Sequence, residues 1–342
     1  MRRTRRRPLL LLGGGPTVAM HAAAAAFTGT PIVGVATANA TEASARAAEL
    51  GLTPLSVDDA LARHTDDGIA VVSTSLDRRA HDALHLLDLG FGVAIEAPLA
   101  STLAGADLVV GAAERRPGRL LYAEHLAYAP VVQQMLSLVE SIGRLGHLEV
   151  RALQQRSDAD PVAALEHLGV HPLALVLLVA NAAGEGVPVS VQATLTSDDA
   201  GSVDRHALVG LQFRSGLLAR VEAGWNDEPG AHWDAQAASE TGVVRAELLP
   251  VPQLEHNGEP VLLPSPKGPV PQIEQYGFVA QLLALMDAIE RQRDPVLGAT
   301  FGRVVLEVIC AAYRSGGRDG TPVALPFVGD RGRTPVELWR GA

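Results

Sequence analysis

Three glycines in a row, Gly13, Gly14 and Gly15, stand between four leucines, Leu9 to Leu12, and an alanine-dense run from Val18 to Ala26. The leucines read as a short strand buried on both faces, as in a parallel sheet. The alanines read as a helix. Strand, glycine turn and helix together aim backbone N–H groups and a helix N-terminus at a pyrophosphate. Gly13 permits the tight turn, Gly15 lets the phosphates come close, and Pro16, Thr17 and Val18 open the helix. The third glycine of G-x-G-x-x-G falls on Val18, whose side chain spaces helix from strand. The stretch therefore reads either as a dinucleotide site or as a glycine-rich turn that binds nothing.

His167 and His171 form a second group, in ALEHLGVHPL at Ala164 to Leu173. Four apart on one helix, they share a face. Histidine titrates near neutrality and takes or gives a proton without special tuning. Glu124 and His125 follow an expected strand end and can face the same cleft. Histidines at i, i+4 also bind zinc, which makes His167, His171 and Glu124 a conceivable ligand set. HLGVH lacks the glutamate of a metalloprotease helix, so no metal is expected. The lone Cys310 excludes an internal disulfide and a cysteine-based metal site, and its apolar helical setting reads as core. A reducing, cytoplasmic compartment is expected.

The net charge of −10 argues against nucleic acid or an anionic membrane as partner. The 342 residues suit two domains. The opening MRRTRRRPLLLL is similar to an export signal. Its apolar run is only four residues, no clean small-residue cleavage site follows, and removal would destroy the first strand. Met1 to Arg7 is read as a solvated basic arm. The apolar run Leu173 to Ala183 is too short to span a membrane and is interrupted by Asn181.

The elements that must position these groups alternate. Strands are expected at Pro31 to Ala36, Ile69 to Thr74, Gly92 to Ile95 and Arg119 to Ala123. Helices are expected at Thr41 to Leu50, Val57 to Arg63, Asp77 to Leu89 and Thr102 to Arg115. Such alternation means an α/β, doubly wound parallel sheet, whose ligands bind beyond the carboxyl ends of the strands. The positions to watch are Gly13 to Thr17, Thr37 to Asn39, Thr74 and Ser75, Glu96 to Pro98, and Glu124, His125 and Tyr128. An acid at the end of the second strand would favour a free ribose 2′-hydroxyl and an arginine a 2′-phosphate. Thr37-Ala38-Asn39 supplies neither, so NAD and NADP stay open.

Beyond about Ala123 the pattern changes. Helices are expected at Ala129 to Ser141 and Val162 to Ala183, with strands at His147 to Gln155, Val187 to Thr196, His206 to Arg214, Leu217 to Trp225, Ala235 to Ser239, Val243 to Leu249 and Gln253 to Leu263. This is an α+β domain with a largely antiparallel sheet. A proline-rich loop, helices at Gln275 to Arg291 and Phe301 to Arg314, and an irregular tail close the chain. The expected domains are 1–123 and 124–342.

Several ordered motifs resemble the Gfo/Idh/MocA family, the relatives of glucose–fructose oxidoreductase and inositol dehydrogenase. They are the glycine turn, Thr74, Gly90, GVAIEAPLA at Gly92 to Ala100, AEHLAYAPVV at Ala123 to Val132, ALEHLGVHPL, VLEVICAAYRSG and TPVELW. The resemblance covers nearly the whole chain. It implies an N-terminal Rossmann domain binding NAD or NADP, and a C-terminal α/β domain for substrate and oligomerisation. It further implies an active cleft between them and hydride transfer on a sugar, polyol or related carbonyl compound. It also implies a homodimer or homotetramer formed through the open face of the second sheet.

The departures fall at the chemistry. The E-K-P lysine of the family is Ala97 here, its aspartate is His167, and the glycines before that segment are Pro161-Val162-Ala163. Glu96, Pro98 and His171 remain, and by resemblance the Ala97–Pro98 bond can be cis. Three readings stay open. They are an oxidoreductase in which His171 takes over the lost lysine's proton role, a non-redox enzyme of elimination, isomerisation or cyclisation, and a silent nucleotide-binding member.

Overall fold

Leu9, Leu10 and Leu11 are wholly buried, as a strand covered on both faces must be. They belong to a computed structural model that describes residues 7–37, 39–62, 68–156, 162–197 and 203–341. Of the expected solvated arm Met1 to Arg7, residues 1–6 lie outside the described residues, as do Ala38, Arg63, Pro161 and Ala342; Arg7 is described and is buried rather than solvated. Contacts divide the chain into two units. One is the chain up to Ala129 with Pro266–Arg303, and the other is Pro130–Ser265 with the chain from Val304.

The first unit holds strands β1 (Leu9–Leu12), β2 (Ile32–Ala36), β3 (Pro54–Leu55), β4 (Ile69–Val72), β5 (Gly92–Glu96) and β6 (Leu120–Ala123). They form a parallel sheet in the order β3-β2-β1-β4-β5-β6. The crossovers carry helices α1 (Thr17–Thr28), α2 (Ala40–Leu50), α3 (Val57–Ala62), α4 (Leu76–Asp88) and α5 (Leu103–Glu114). The Asn39 side chain accepts the backbone N–H groups of Thr41 and Glu42 and so starts α2. Gly51, in the left-handed region, ends it.

The second unit begins with α6 (Pro130–Ile142), β7 (Leu145–Gln155), α7 (Ala164–His167) and α8 (Val170–Ala182). Strands β8 (Pro188–Ser197), β9 (Asp204–Phe213), β10 (Leu218–Asn226), β11 (Ala231–Ser239), β12 (Val243–Leu249), β13 (Gln253–His256) and β14 (Glu259–Pro260) follow. Helices α9 (Pro271–Gln275) and α10 (Phe278–Arg291) belong to the first unit, and α11 (Ala299–Gly316), β15 (Val323–Ala324) and α12 (Pro335–Arg340) end the chain. The second sheet runs β14-β13-β12-β11-β7-β10-β9-β8-β15, antiparallel except for β7 beside β10. Val305 to Tyr313 of α11 and Val170 to Ala180 of α8 supply its core; both stretches are almost entirely buried.

Four expectations differ from the fold. The return of 266–303 to the first unit was not anticipated by a division after residue 123. Leu282, Leu285, Met286 and Ile289 of α10 pack on Leu9, Leu11, Val18 and Ala25, so this helix covers the first sheet beside α1. The expected helix over 162–183 is broken between α7 and α8, and its first residues are not helical. Gly169 lies so close to the Leu165 carbonyl that a Cβ there would be 2.6 Å away, and its N–H closes the turn on the Ala164 carbonyl at 3.0 Å. Pro172, lacking an N–H, fits the first turn of the helix that restarts. The expected single strand Gln253 to Leu263 is a hairpin, because Asn257 and Gly258 both adopt positive φ and turn β13 back into β14. The expected irregular tail contains α12, started by a capping box between Thr334 and Glu337.

Candidate functional site

Gly13 ends β1 with φ of 120°, and a Cβ there would run into the Ser73 carbonyl. Only glycine fits this junction of the β1 and β4 ends. Gly13 N–H donates to the Ala36 carbonyl at 2.8 Å, which ties the turn to β2. At Gly15 a Cβ would lie 2.7 Å from the Ser73 hydroxyl, which itself sits 3.3 Å from Thr17 Oγ1. Pro16 occupies the N-cap of α1 and supplies no side-chain cap; Val18 N–H turns back to the Gly15 carbonyl at 3.2 Å, and the helix N-terminus faces the turn without a side-chain acceptor. Val18, where a third glycine would stand, is wholly buried against Leu9 and Leu11.

Thr37 and Asn39 follow β2. Thr37 Oγ1 donates to the Asn39 carbonyl at 2.5 Å, and Asn39 Oδ1 is occupied by the start of α2. A cavity of about 720 Å³ opens beside Thr37, lined among others by Ser44, Ser56, Arg78, His81 and Asp82. That volume suits a small organic group. Thr74 and Ser75 follow β4. Thr74 Oγ1 is buried without a hydrogen-bond partner among the described residues, and Ser75 is exposed before α4.

Beyond β5 the Ala97–Pro98 bond is cis. Arg79 of α4 holds this loop. Its Nη1 donates to the carbonyls of Ala97 at 2.8 Å and Pro98 at 3.0 Å, and its Nη2 to that of Thr74 at 3.0 Å. Glu96 is buried and accepts from His21 Nε2 at 2.6 Å. Burial pushes the Glu96 carboxyl up. The His21 hydrogen bond and the charges of His21, His125 and Arg79 outweigh burial and hold it below the usual glutamate range. The sequence reading named neither His21 nor Arg79. The one available sign was a single imidazole on the apolar face of an alanine helix.

Past β6, Glu124 is wholly buried, Tyr128 is half-buried, and His125 stacks on Phe278 with ring centroids 4.1 Å apart. His125 Nδ1 donates to the Tyr276 carbonyl at 2.8 Å. His21 meets the same Phe278 edge-on at 5.1 Å. The first unit thus sets His21 and His125 against one phenylalanine, with Glu96 hydrogen-bonded to His21.

In the second unit His167 and His171 stand on separate helices. His167 is exposed and stacks on Trp225 of β10 at 5.8 Å, while His171 is half-buried against Trp233 of β11 at 5.3 Å. Trp225 and Trp233 pair with Gln154 and Ala152 of β7, so both project from one sheet face, two rows apart. Each histidine therefore rests on its own tryptophan. Asp204 of β9 accepts from Leu165 N–H at 2.7 Å and from the Tyr313 hydroxyl, which starts α7. Cys310 is buried, which raises its thiol pKa far above the usual range. Among the described residues, no three His, Cys, Asp or Glu side chains converge to hold a metal ion, and no helix is long and apolar enough to cross a membrane.

No protein-family model matches the chain, and no curated protein matches it by sequence. Solved structures do match over almost its full length. GenD2 from gentamicin A biosynthesis, in complex with NAD, is 23% identical, with a TM-score of 0.79 over 94% of this chain and 97% of its own. The aldose-aldose oxidoreductase of Caulobacter crescentus, with glycerol, is 20% identical, with a TM-score of 0.80 over 94% and 100%. The WlbA dehydrogenase of Bordetella pertussis, with NADH and UDP-GlcNAcA, is 19% identical, with a TM-score of 0.77 over 94% and 99%. The structural neighbours are Gfo/Idh/MocA-type dehydrogenases, and the chain has their fold.

Proposed function

We propose that the chain is an NAD-dependent oxidoreductase acting on a sugar, a polyol or a related carbonyl compound. The observation that carries the reading is the glycine cradle. A Cβ at Gly13 would run into the Ser73 backbone, and at Gly15 the absence of a side chain leaves room beside the Ser73 hydroxyl for a close approach to the N-terminus of α1. A pyrophosphate meets backbone N–H groups at such a place. The neighbours named above include one solved with NAD and one with NADH. When bound, the nicotinamide accepts or donates a hydride at the substrate carbon. The chain's own part is to hold the nucleotide at Gly13 to Thr17, with Thr74 Oγ1 as a buried polar group open to a partner. His171 handles the substrate proton, and Glu124, His125 and Tyr128 are the substrate-side candidates. The reading includes a cytoplasmic homo-oligomer, consistent with one buried, unpaired cysteine.

Ala97 favours a second reading. A methyl group where a lysine would stabilise alkoxide character suits a non-redox reaction run by histidines. One experiment separates them. Wild type and Gly15→Leu are titrated with NADH and NADPH, then screened for absorbance change with sugars and polyols. Wild type is expected to bind and turn over. Gly15→Leu is expected to lose binding yet keep its melting temperature, because the Cβ there meets only a rotatable hydroxyl. Absence of affinity for either nucleotide at about millimolar concentration, some 4 kcal/mol of binding, refutes the redox reading.

A further inference from the structure

We propose that Glu42 reads the adenosine ribose and makes NAD(H), not NADP(H), the nucleotide of this chain. The proposal rests on the dinucleotide reading above and adds a specificity that the end of β2 does not provide. Thr37 Oγ1 is spent on the Asn39 backbone and Asn39 Oδ1 on the start of α2, which leaves at the end of β2 only the neutral Asn39 Nδ2, a donor to a 2′-hydroxyl and a 2′-phosphate alike. Glu42 stands one turn further on, near the N-terminus of α2. Its carboxylate lies across the glycine turn, in the space that a side chain at Gly14 would fill. It is exposed, and it has no hydrogen-bond donor among the described residues.

Two further features favour a ribose at this carboxylate, the course of α2 and the state of the nearest cation. The next residues, Ala43 and Ser44, line the 720 Å³ cavity beside Thr37. Glu42 thus stands between the turn that suits a pyrophosphate and a cavity of a size that suits an adenine, and a ribose is the group that joins the two. The nearby cation is already engaged. Arg46 donates from Nη2 to the Gly14 carbonyl at 2.8 Å and from Nη1 to Glu49 at 2.7 Å. A carboxylate with open lone pairs accepts from a ribose diol and repels a phosphate on the same carbon.

The test is a pair of fluorescence titrations, NADH and NADPH, on wild type, Glu42→Gln and Glu42→Ala at one ionic strength, with melting temperatures from the same samples. Wild type is expected to bind NADH at least about tenfold more tightly than NADPH. Both variants are expected to weaken NADH about tenfold, the worth of a hydrogen bond to a charged group, and to tighten NADPH. Because Glu42 is exposed, the melting temperatures should not move. Wild-type preference for NADPH, taken by Arg46 or by Arg78 in the cavity, overturns the proposal. So do equal changes for both nucleotides. Either outcome leaves the dinucleotide reading standing, whereas failure of wild type to bind either nucleotide refutes both.

Discussion

His21 Nε2 and Glu96 Oε1 lie 2.6 Å apart, both side chains buried, and join the first turns of α1 to the end of β5. The pair links the glycine turn's helix to the loop that carries Ala97 and Pro98. Glu96 depends on it, since burial alone would drive its carboxyl upward.

His21→Ala should therefore cost about 2–4 kcal/mol at neutral pH, because it leaves a buried carboxylate short of a partner. The sign of the pH dependence follows from the depressed folded pKa. The stabilisation is complete above the usual glutamate range and is lost as pH falls through the folded value. Urea unfolding of both proteins should show a gap that narrows in acid. A gap that is the same at all pH values would mean that the imidazole acts only by packing on Phe278.

Arg79 ties the ends of β4 and β5 by donating to four backbone carbonyls, those of Thr74, Glu96, Ala97 and Pro98. A lysine carries one ammonium and cannot reproduce the fork. Arg79→Lys should lose about 1.5–3 kcal/mol of stability. It should also weaken NADH binding, since the Thr74 and Ala97 loops border the proposed site. Equilibrium unfolding and NADH titration check both. Unchanged values in each would show that the loop keeps its shape without the guanidinium.

His171 and His167 are distinguished by their surroundings. His171 is half-buried on Trp233, at the first turn of α8, whereas His167 is exposed on Trp225. His171→Asn should lower turnover about 10²- to 10⁴-fold with NADH affinity unchanged, the loss expected of a proton-transfer group. His167→Asn should lower it less. Steady-state kinetics of the two variants, with melting temperatures alongside, decide the assignment; normal turnover in His171→Asn removes it.

The parallel sheet was legible because each buried strand announces itself as an apolar run followed by a glycine or a cap, as at Leu9 to Gly13 and Ile69 to Val72. The glycine turn was legible for the same reason. His21 and Arg79 were not, because their partners Glu96 and the Ala97 carbonyl are 75 and 18 residues away, and no local pattern encodes such pairings. The hairpin at Asn257-Gly258 and the capping box at Thr334 carried plain local signals that a reading by hydropathy alone passed over. The break at Gly169 was masked by the apolar run on its far side, which has helical composition throughout. The homing of α10 on the first sheet depends on tertiary packing, since an amphipathic helix does not name the surface that it covers.

Asp204 provides the last test. It is wholly buried, takes the Leu165 N–H and the Tyr313 hydroxyl, and so fixes where the segment bearing His167 and His171 begins. Burial raises its carboxyl above the usual aspartate value. The Tyr313 hydroxyl and the backbone N–H groups of Leu165, Asp204 and Ala164 oppose that rise without cancelling it. The sign is the reverse of that for Glu96. The folded chain holds this proton more tightly than the unfolded chain, so stability falls as pH rises from the usual aspartate value through the raised folded one. Tyr313→Phe removes a donor to the charged form. It should cost about 1–3 kcal/mol at neutral pH, and less in acid, where the carboxyl is protonated and its charge no longer needs the hydroxyl. Asp204→Asn keeps an acceptor for Leu165 but no titrating charge, so its stability should not follow that part of the pH profile. Urea unfolding from about pH 4 to about pH 8 on wild type and both variants reads the difference. A Tyr313→Phe penalty independent of pH would show that the hydroxyl serves packing alone. If the pair also positions the histidines, both variants should lower turnover while leaving NADH affinity intact.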